Sequence, residues 1–419
     1  MTSYRARLAA CLAAAALVVP LAACSSNDGR ETIQFFQFKG EAKQYFEDLT
    51  AQFEKQNPDI KVVIQNVADP ETALRTRLVK NDVPDVMTLN GNGTYGEFAS
   101  AGIFKDFRDD PLLKEINPGY IKVVKALGES SPDAVNGIPF AANASGILYN
   151  EALFKQEGVA VPTTWDELLA AAKKFKAAGI TPFYGMLKDA WTPQSPLAPL
   201  TAQTAPANFF QDRFADKTTF SKGWRTAIDE LGELYQYTQP DPGAFGYQDG
   251  TRAFAEGESA MLLLGSYAVP QIRTFKPKFT VGSFALPATN DAAKTTLVSG
   301  VDVLVTQGAH SKHAEASEKF IRFLMQPDVV QKYSEAQVAI PAIAGASNND
   351  PALEGIQSYI DDGRLVGFTD HQFIPAIPLA PLLQEYLTDK DANKMLTKLD
   401  ESWDKVAARR TWGLGAVKS

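Results

Sequence analysis

The chain has 419 residues, of which 45% are hydrophobic and 21% charged, and it carries a net charge of −8. This composition is typical of a globular protein, and the length exceeds what one hydrophobic core normally organises, so we expect two lobes. An acidic chain argues against nucleic-acid binding, which requires clustered Lys and Arg, and it favours a neutral ligand over an anionic one.

The N-terminus has the pattern of a secretory signal. Two arginines precede an apolar stretch from Leu8 to Val19, which is shorter than the ~20 residues of a membrane-spanning helix. Leu21-Ala22-Ala23-Cys24 resembles the lipobox of bacterial lipoproteins, in which the cysteine thiol receives a diacylglycerol. We therefore expect a signal peptide at 1–23, a lipidated Cys24 and a flexible tether over 24–30. The alternatives are an ordinary cleaved signal and an N-terminal anchor helix.

The first predicted elements form a βαβ unit. Thr32–Phe38 is typical of a buried strand, and the helix after it has apolar residues at helical spacing: Ala42, Tyr45, Phe46, Leu49 and Phe53. A second strand is predicted at Ile60–Val67, a helix at Arg75–Val79, and a third strand at Val83–Met87. The third strand leads into the loop Asn90–Gly93. Open α/β sheets bind ligands at such strand ends.

A second α/β region follows Gly137. Thr164 and Glu167 fit a capping box, and an apolar stripe follows it: Leu168, Ala171, Ala172 and Phe175. The proline-rich segment 191–207 is predicted to be a loop or a broken helix. The remaining predicted elements are a helix then a strand over 254–264, a strand at Val301–Val305, a helix ending before Pro327, and helices at Leu379–Leu387 and Met395–Ala407.

Motifs for metal, cofactor and nucleotide chemistry are missing from the sequence. Cys11 lies within the signal, so Cys24 would be the only cysteine of the mature chain, and no disulfide can form within it. His310 and His313 have no third ligand nearby, so we predict solvated side chains and no metal. No Gly-x-x-x-x-Gly-Lys stretch occurs, so we expect no cofactors, and any transport would need separate permease and ATPase subunits.

Four blocks of the sequence resemble extracellular solute-binding proteins of family 1, the sugar-binding subunits of ABC importers. The first block begins NGIPFAANASGILYN and spans 136–183; the others lie at 253–269, 299–305 and 311–342, in the family's order. The resemblance implies an α/β, periplasmic-binding-protein-like fold, with two α/β lobes of discontinuous chain joined by a hinge.

The resemblance also implies a domain division and a function. Lobe 1 would comprise 31–140 plus 302–345 and lobe 2 would comprise 141–301 plus 346–419, with crossings near Phe140, Val301 and Gly345. The chain would be no enzyme. It would capture a neutral carbohydrate, an oligosaccharide, in the cleft and deliver it to a membrane permease. We expect a monomer, lipid-anchored on the outer face of the cytoplasmic membrane.

Similar proteins place ligand-binding side chains at positions that can be matched here. The matched positions are Gln37, Lys39, Glu41, Asn90, Asn92, Asn143, Trp191, Tyr267 and Asp302. Two further candidates come from their place in the chain: Tyr95 after the Asn90 loop, and Phe373 in a loop before Pro375 and Pro378. Polar side chains suit sugar hydroxyls, and aromatic rings suit the C–H faces of sugars. Relatives often carry Asp or Trp at the Asn90 loop and usually Trp at position 267, so the identity of the sugar stays open.

Several of these positions also have a purely structural interpretation. Glu41 fits a favourable charge at a helix N-terminus, Asn90 a glycine-rich turn and Asn143 a hinge turn. Tyr267 fits core packing. Asp302 is a charge within an apolar strand and needs either a ligand or an ion-pair partner.

Other functions also remain open at this point. A secreted glycoside hydrolase would need two carboxylates ~5–9 Å apart across the sugar. A surface adhesin or sensor would bind sugars without transport. A binder of a phosphorylated polyol or another anion would need convergent Arg or Lys side chains, and Lys39 is the one basic candidate.

Overall fold

The computed structural model describes residues 29–40, 42–66, 70–369, 371 and 377–406. The predictions for the signal peptide, Cys24, Glu41 and Phe373 lie outside the described residues. Within the described part, the strands form a seven-stranded and a four-stranded sheet, and helices pack against both. The α/β class predicted from the sequence is confirmed.

The strands, in chain order, are β1 (Glu31–Gln37), β2 (Ile60–Asn66), β3 (Val86–Leu89), β4 (Ile138–Ser145), β5 (Ile147–Asn150), β6 (Thr181–Phe183), β7 (Ser259–Leu262), β8 (Val281–Phe284), β9 (Leu297–Gln307), β10 (Ile340–Pro341) and β11 (Leu365–Val366). The larger sheet has the order β10-β4-β9-β3-β1-β2, with β11 beside β9, and the smaller has the order β6-β7-β5-β8. Strand β1 pairs in parallel with β2 and β3, as the predicted βαβ unit requires, whereas β9 pairs antiparallel with β3 and β4.

The helices of the described residues are α1 (Lys43–Gln56), α2 (Pro70–Val79), α3 (Gly93–Ser100), α4 (Pro118–Leu127), α5 (Glu151–Glu157), α6 (Trp165–Ala177), α7 (Gln194–Thr204), α8 (Phe209–Phe214), α9 (Phe220–Gly223), α10 (Arg225–Tyr235), α11 (Tyr247–Ala255), α12 (Val269–Thr274), α13 (Ala314–Leu324), α14 (Pro327–Gln337), α15 (Pro351–Asp361), α16 (Leu379–Asp389) and α17 (Ala392–Val406). Short 3₁₀ helices lie at Pro111–Glu115, Pro242–Ala244, Ser266–Ala268 and Ala292–Lys294.

Helix α6 shows how local sequence sets an element. Its N-cap is Thr164, whose hydroxyl accepts a hydrogen bond from the backbone N–H of Glu167 at 3.3 Å. The Glu167 carboxylate accepts from the N–H of Thr163 at 2.8 Å, one residue before the N-cap, so the second half of the predicted capping box is displaced by one position. The predicted apolar stripe is buried against the smaller sheet.

The prediction of a loop or broken helix over 191–207 is wrong for most of that segment, because α7 is continuous from Gln194 to Thr204. Pro199 lies inside the helix and has no N–H to donate to the carbonyl of Ser195, four residues earlier. The hydroxyl of Ser145, in β4, donates to that carbonyl instead, at 2.7 Å. A contact from another element therefore compensates for the proline.

Strand β3 begins three residues later than predicted. Pro84 has no N–H, and Asp85 offers its side chain rather than its backbone to β1: the Asp85 carboxylate accepts from the N–H of Gln34 at 2.8 Å and from the Ser311 hydroxyl at 2.6 Å. Regular pairing with β1 begins at Val86, opposite Phe35. The shift carries the carboxyl end of β3 to Leu89, directly before Asn90.

Two large buried clusters accompany the two sheets. The larger cluster surrounds the seven-stranded sheet and continues onto the four-stranded sheet through Leu148, Leu262 and Val281. The second cluster lies around the four-stranded sheet and includes Trp224 and Trp403, each 0% exposed. The chain passes from the larger sheet to the smaller one at Gly146, where a Cβ would lie 2.5 Å from the carbonyl oxygen of Phe284. It returns between β8 and β9. In the described part of the chain, every helix is too short or too polar to cross a membrane.

Candidate functional site

Four strands of the larger sheet direct polar residues to one region. Lys39 lies two residues beyond β1 and Asn90 directly after β3, and parallel strands end at the same edge of a sheet. Asn143 belongs to β4 and Asp302 to β9, which pair antiparallel through this region, with Ala142 opposite Val301. The predicted polar candidates from four separated segments are therefore brought together.

Gly91 fixes the close approach of the β3 loop to β9. Its N–H donates to the carbonyl oxygen of Val301 at 2.9 Å. A Cβ at position 91 would lie 3.0 Å from that same oxygen and 3.1 Å from the Cβ of Val301, which is tighter than ordinary contact. The absence of a side chain thus lets Asn90 sit beside Asp302.

Lys39 and Asp302 form an ion pair, with the ammonium nitrogen 2.6 Å from a carboxylate oxygen. Both side chains are largely buried, with 12% and 9% of their surfaces exposed. The Lys39 ammonium also lies 5.9 Å from the centre of the Phe38 ring. The sequence left a ligand or an ion-pair partner open for Asp302, and the ion pair is present. Both residues of the pair also line cavities.

Three aromatic residues, Trp191, Tyr247 and Tyr267, lie opposite these polar residues, and we call them the aromatic wall. Trp191 is 41% exposed; its ring centre lies 5.4 Å from that of Tyr247 and 6.3 Å from that of Tyr267. Tyr247 begins α11, where its N–H donates to the carboxylate of Asp189 at 2.6 Å. Tyr267 follows β7 in a short 3₁₀ helix. The wall therefore comes from segments that flank the smaller sheet.

A hydroxyl network supports Tyr267. Its phenol donates to the hydroxyl of Ser195 at 2.7 Å, and the Ser195 hydroxyl lies 3.1 Å from that of Ser145. Ser195 stands in the first turn of α7, and Ser145 ends β4. The ring of Tyr267 is thereby tied to the strand that also carries Asn143.

Two adjoining cavities, which together we call the cleft, lie between the polar strand ends and the aromatic wall. Their volumes are about 390 and 230 Å³. Residues that line both are Lys39, Asn143, Tyr247, Tyr267 and Asp302. Asn90, Trp191, Gln194, Ser195 and His371 line the larger cavity, and Gln271 and Gln337 line the smaller one. Amides, hydroxyls and flat rings therefore converge on one space.

Three predicted site residues lie away from the cleft. Gln37 is 0% exposed, and its carboxamide donates to the carbonyl of Lys39 at 2.8 Å. Asn92 caps α3 by accepting from two backbone N–H groups and donates to Glu71. Tyr95 is 1% exposed and stacks on Phe104, and burial raises the pKa of its phenol. These placements argue against direct ligand contact, and each side chain supports a neighbouring element instead.

The structure adds residues that the sequence did not single out. Tyr247, Gln194 and Ser195 line the cleft although they belong to segments that were predicted only as loop or broken helix, or not assigned. The place of Tyr247 depends on a close contact between the two loops, since a Cβ at Gly246 would lie 2.6 Å from the Asp189 carboxylate. That contact couples two loops far apart in sequence, and no local pattern reveals it.

Asn90 carries a buried polar atom without a protein partner. Its side-chain oxygen accepts no hydrogen bond from any described residue. Buried carbonyl oxygens are nearly always satisfied, and leaving one unsatisfied costs about 1–3 kcal/mol. Asn90 lines the larger cavity, so a ligand hydroxyl would satisfy this oxygen if the side chain turned toward the cleft.

A larger cavity, of about 920 Å³, lies elsewhere, in a groove formed by β5, α5, β8 and the start of α15. Its lining comes from the smaller sheet and from helices beside it, including Tyr149, Phe154, Phe279 and Glu354. The cleft is smaller, but its lining combines residues of the larger sheet with residues of segments that flank the smaller sheet. We consider the cleft the functional site because strand ends and aromatic rings converge there.

No group of three His, Cys, Asp or Glu side chains among the described residues is arranged to hold a metal ion. Nδ1 of His313 lies 3.0 Å from a carboxylate oxygen of Glu31, at the N-terminal end of β1. The cleft's chemistry is thus that of hydrogen bonds, one ion pair and aromatic faces.

Comparison with known proteins assigns the chain to a family. The sequence model described as bacterial extracellular solute-binding protein matches residues 39–331. The chain belongs to this family. The family resemblance read from the sequence is thereby confirmed, and this solute-binding protein acts outside the cytoplasm.

Individual relatives support the same fold. The multiple sugar-binding protein of Streptococcus mutans is 29% identical over 372 residues, which are 85% of this chain and 86% of that protein. RafE from Streptococcus pneumoniae, solved in its apo form, is similar with a TM-score of 0.80 at 28% identity, covering 90% of this chain and 98% of RafE. RafE in complex with raffinose gives the same TM-score and identity over 90% and 99%. The predicted periplasmic-binding-protein-like fold is confirmed.

The unpaired oxygen of Asn90 leads to a stability prediction. Asn90→Ala should change the free energy of unfolding by less than ~1 kcal/mol, because no protein hydrogen bond to that oxygen is lost. The matched control is Asn136→Ala: Asn136 is 1% exposed, bonds Ser130 through both amide atoms, and should cost about 1–3 kcal/mol. Urea denaturation measures both. Equal losses would show that Asn90 serves the fold rather than the cleft.

Proposed function

We propose that this protein captures a neutral oligosaccharide in the cleft and delivers it, unaltered, to the permease of an ABC importer. The observation that carries the proposal is the composition of the cleft, in which amides and hydroxyls face an aromatic wall. Sugar hydroxyls need many hydrogen-bond partners, and sugar C–H faces pack on flat rings. The names of the relatives, a multiple sugar-binding protein and a raffinose complex, support the same ligand class.

The proposed hinge follows from the pairing of β4 with β9. We propose lobes of 31–140 plus 302–345 and of 141–301 plus 346–419. Both β4 and β9 run through the proposed crossings near Phe140 and Val301, and their register shifts between Pro139 and Ala142. Such an irregularity bends a strand locally. The third crossing contains Gly345, whose φ of 76° few other residues adopt.

Lobe closure would complete the binding site. The aromatic wall and the Lys39–Asp302 pair belong to segments that flank different sheets, so closure brings them against opposite sides of the sugar. Exclusion of water strengthens the hydrogen bonds within. A dissociation constant of about 1 μM needs only about −8 kcal/mol, which a few stacked rings and charged hydrogen bonds can supply.

The composition of the cleft also favours a binder over a hydrolase. Glycoside hydrolysis uses two carboxylates on either side of the scissile bond. Of the described residues that line the cleft, Asp302 is the only carboxylate, and it is held by Lys39. We therefore propose that the protein has no enzymatic activity and no cofactors. The alternatives are a hydrolase, and a binder of a phosphorylated polyol or another small solute.

We further propose that Cys24 carries the lipid anchor on the outer face of the cytoplasmic membrane, with 24–30 as a flexible tether. The partners would be the permease and ATPase subunits, with the membrane contacted through lipid only and no nucleic acid involved. The protein would act as a monomer. The support is the lipobox-like sequence before Cys24 together with the family's extracellular place of action.

Calorimetry on the mature chain with Cys24→Ser tests the ligand class. Titration with neutral oligosaccharides, raffinose among them, should give at least one dissociation constant in the micromolar range and raise the melting temperature. Chromatography of the same mixtures should show intact sugar. Release of shorter sugars would make the protein an enzyme. No measurable binding to any sugar of the panel would contradict sugar binding.

The aromatic wall yields a second prediction. Trp191→Ala and Tyr267→Ala should each lower affinity for the bound sugar about 10-fold or more, since each removes a ring stack of ~1–2 kcal/mol. The matched control is Tyr359→Ala, which removes a ring that lies outside the cleft, on α15 against Arg364. Calorimetry gives the three dissociation constants. If both wall variants bind as the control does, the site assignment fails although the fold stands.

The anchor has its own test. Cys24→Ser should move the protein from the membrane fraction to the soluble fraction of the producing cells, because the thiol that would take the lipid is lost. Metabolic labelling with a radioactive fatty acid provides the direct readout and should mark the wild type alone. Membrane retention of an unlabelled variant would point to an N-terminal anchor helix instead.

A further inference from the structure

Among the described residues that line the cleft, one ammonium and one carboxylate lie in contact. Asp302 is the only carboxylate among the described lining residues, and Lys39 is the only ammonium. The lining also includes the imidazole of His371, whose ring centre lies 5.0 Å from that of Phe368. Lys39 and Asp302 are in contact with each other at 2.6 Å. A ligand that enters the cleft therefore meets an ammonium that already has a counterion.

The position of the pair makes it reachable by a ligand. Lys39 lies beyond the end of β1 and Asp302 within β9, and both line both cavities. Their side chains are mostly, but not wholly, covered, with 12% and 9% exposed. A pair with this placement borders the cavities that a ligand would enter.

The consequences for a charged ligand follow from electrostatics in a partly buried site. An anionic group that approaches the Lys39 ammonium must also approach the Asp302 carboxylate, because the two are in contact. The negative charges of the ligand and of Asp302 would then repel each other strongly where water is scarce. A hydroxyl suffers no such repulsion, because it can donate to the carboxylate. Removal of Asp302 alone would leave a partly buried cation in need of a counterion.

We propose that Asp302 is a specificity-determining residue: by neutralising Lys39, it admits neutral sugars and excludes sugars that carry a carboxylate or a phosphate. This inference rests on the proposed function, because it concerns which sugars the same cleft accepts. It assigns to the ion pair a role that a purely structural bridge between β1 and β9 would not have. The distinguishing readout is the preference between ligands rather than stability or total affinity.

The experiment compares matched ligand pairs. Each neutral oligosaccharide of the panel, raffinose included, is paired with the same sugar after oxidation of a primary hydroxyl to a carboxylate. Calorimetry on the mature chain with Cys24→Ser gives the ratio of acidic to neutral affinity. The additional variants are Asp302→Asn, Lys39→Gln and the double variant Asp302→Asn with Lys39→Gln, so that the pair contributes +1, −1 or 0 to the cleft.

We expect the acidic-to-neutral affinity ratio to follow that charge. Asp302→Asn should raise the ratio at least 10-fold over the wild type, and added salt should reduce this gain. The double variant should keep a ratio near that of the wild type, and Lys39→Gln should lower it. The control Asp229→Asn removes the same charge from the exposed Arg225 pair on α10 and should leave the ratio unchanged.

The outcomes separate this proposal from the proposed function. If the wild type binds neutral sugars but Asp302→Asn shows the wild-type ratio, the filter is wrong and sugar binding stands. If no neutral sugar binds the wild type, sugar binding fails, while carboxylated sugars that bind only Asp302→Asn would still support the filter. If Asp302→Asn does not fold, the test compares the acidic-to-neutral affinity ratio of the double variant with that of Lys39→Gln. The proposal requires a higher ratio in the double variant, and equal ratios would overturn it.

Discussion

The structure depends on the antiparallel pairing of β4 with β9. This pair lies inside the larger sheet, carries Asn143 and Asp302, and leads into the smaller sheet through Gly146 and β5. Because β9 also pairs with β3, it fixes the loop after β3, and Gly91 lets that loop approach Val301 closely. One strand pair thus connects the two sheets and sets the position of the polar side of the cleft.

The two sides of the cleft arise by different means. The polar side uses strand ends, where backbone pairing fixes side chains within one sheet. The aromatic side uses loops and helix starts, where polar contacts include the Asp189 carboxylate that accepts from the N–H of Tyr247 and the Ser195 hydroxyl that accepts from the phenol of Tyr267. The polar side is thus set by strand pairing, and the aromatic side by contacts between segments that are distant in the sequence.

Sequence reasoning recovered the fold class, the family and the βαβ start, because these depend on periodicity and on long matched blocks. It also found Lys39, Asn90, Asn143, Trp191, Tyr267 and Asp302, which the structure brings to one cleft. It could not separate Tyr95 from the site, since an aromatic near a strand end has the same local pattern whether it stacks in the core or on a ligand. Tyr247 was missed because its place depends on a long-range contact with Asp189, and the helix α7 because Ser145 compensates for Pro199.

A crystal structure of the protein with a bound neutral oligosaccharide tests this description most directly. We expect the sugar in the cleft, with at least one ring stacked on Trp191 or Tyr267 and with hydroxyls bonded to the Asn90 oxygen and to Asp302. A sugar in the groove beside α15, or a cleft that stays empty while affinity is measurable in solution, would contradict it.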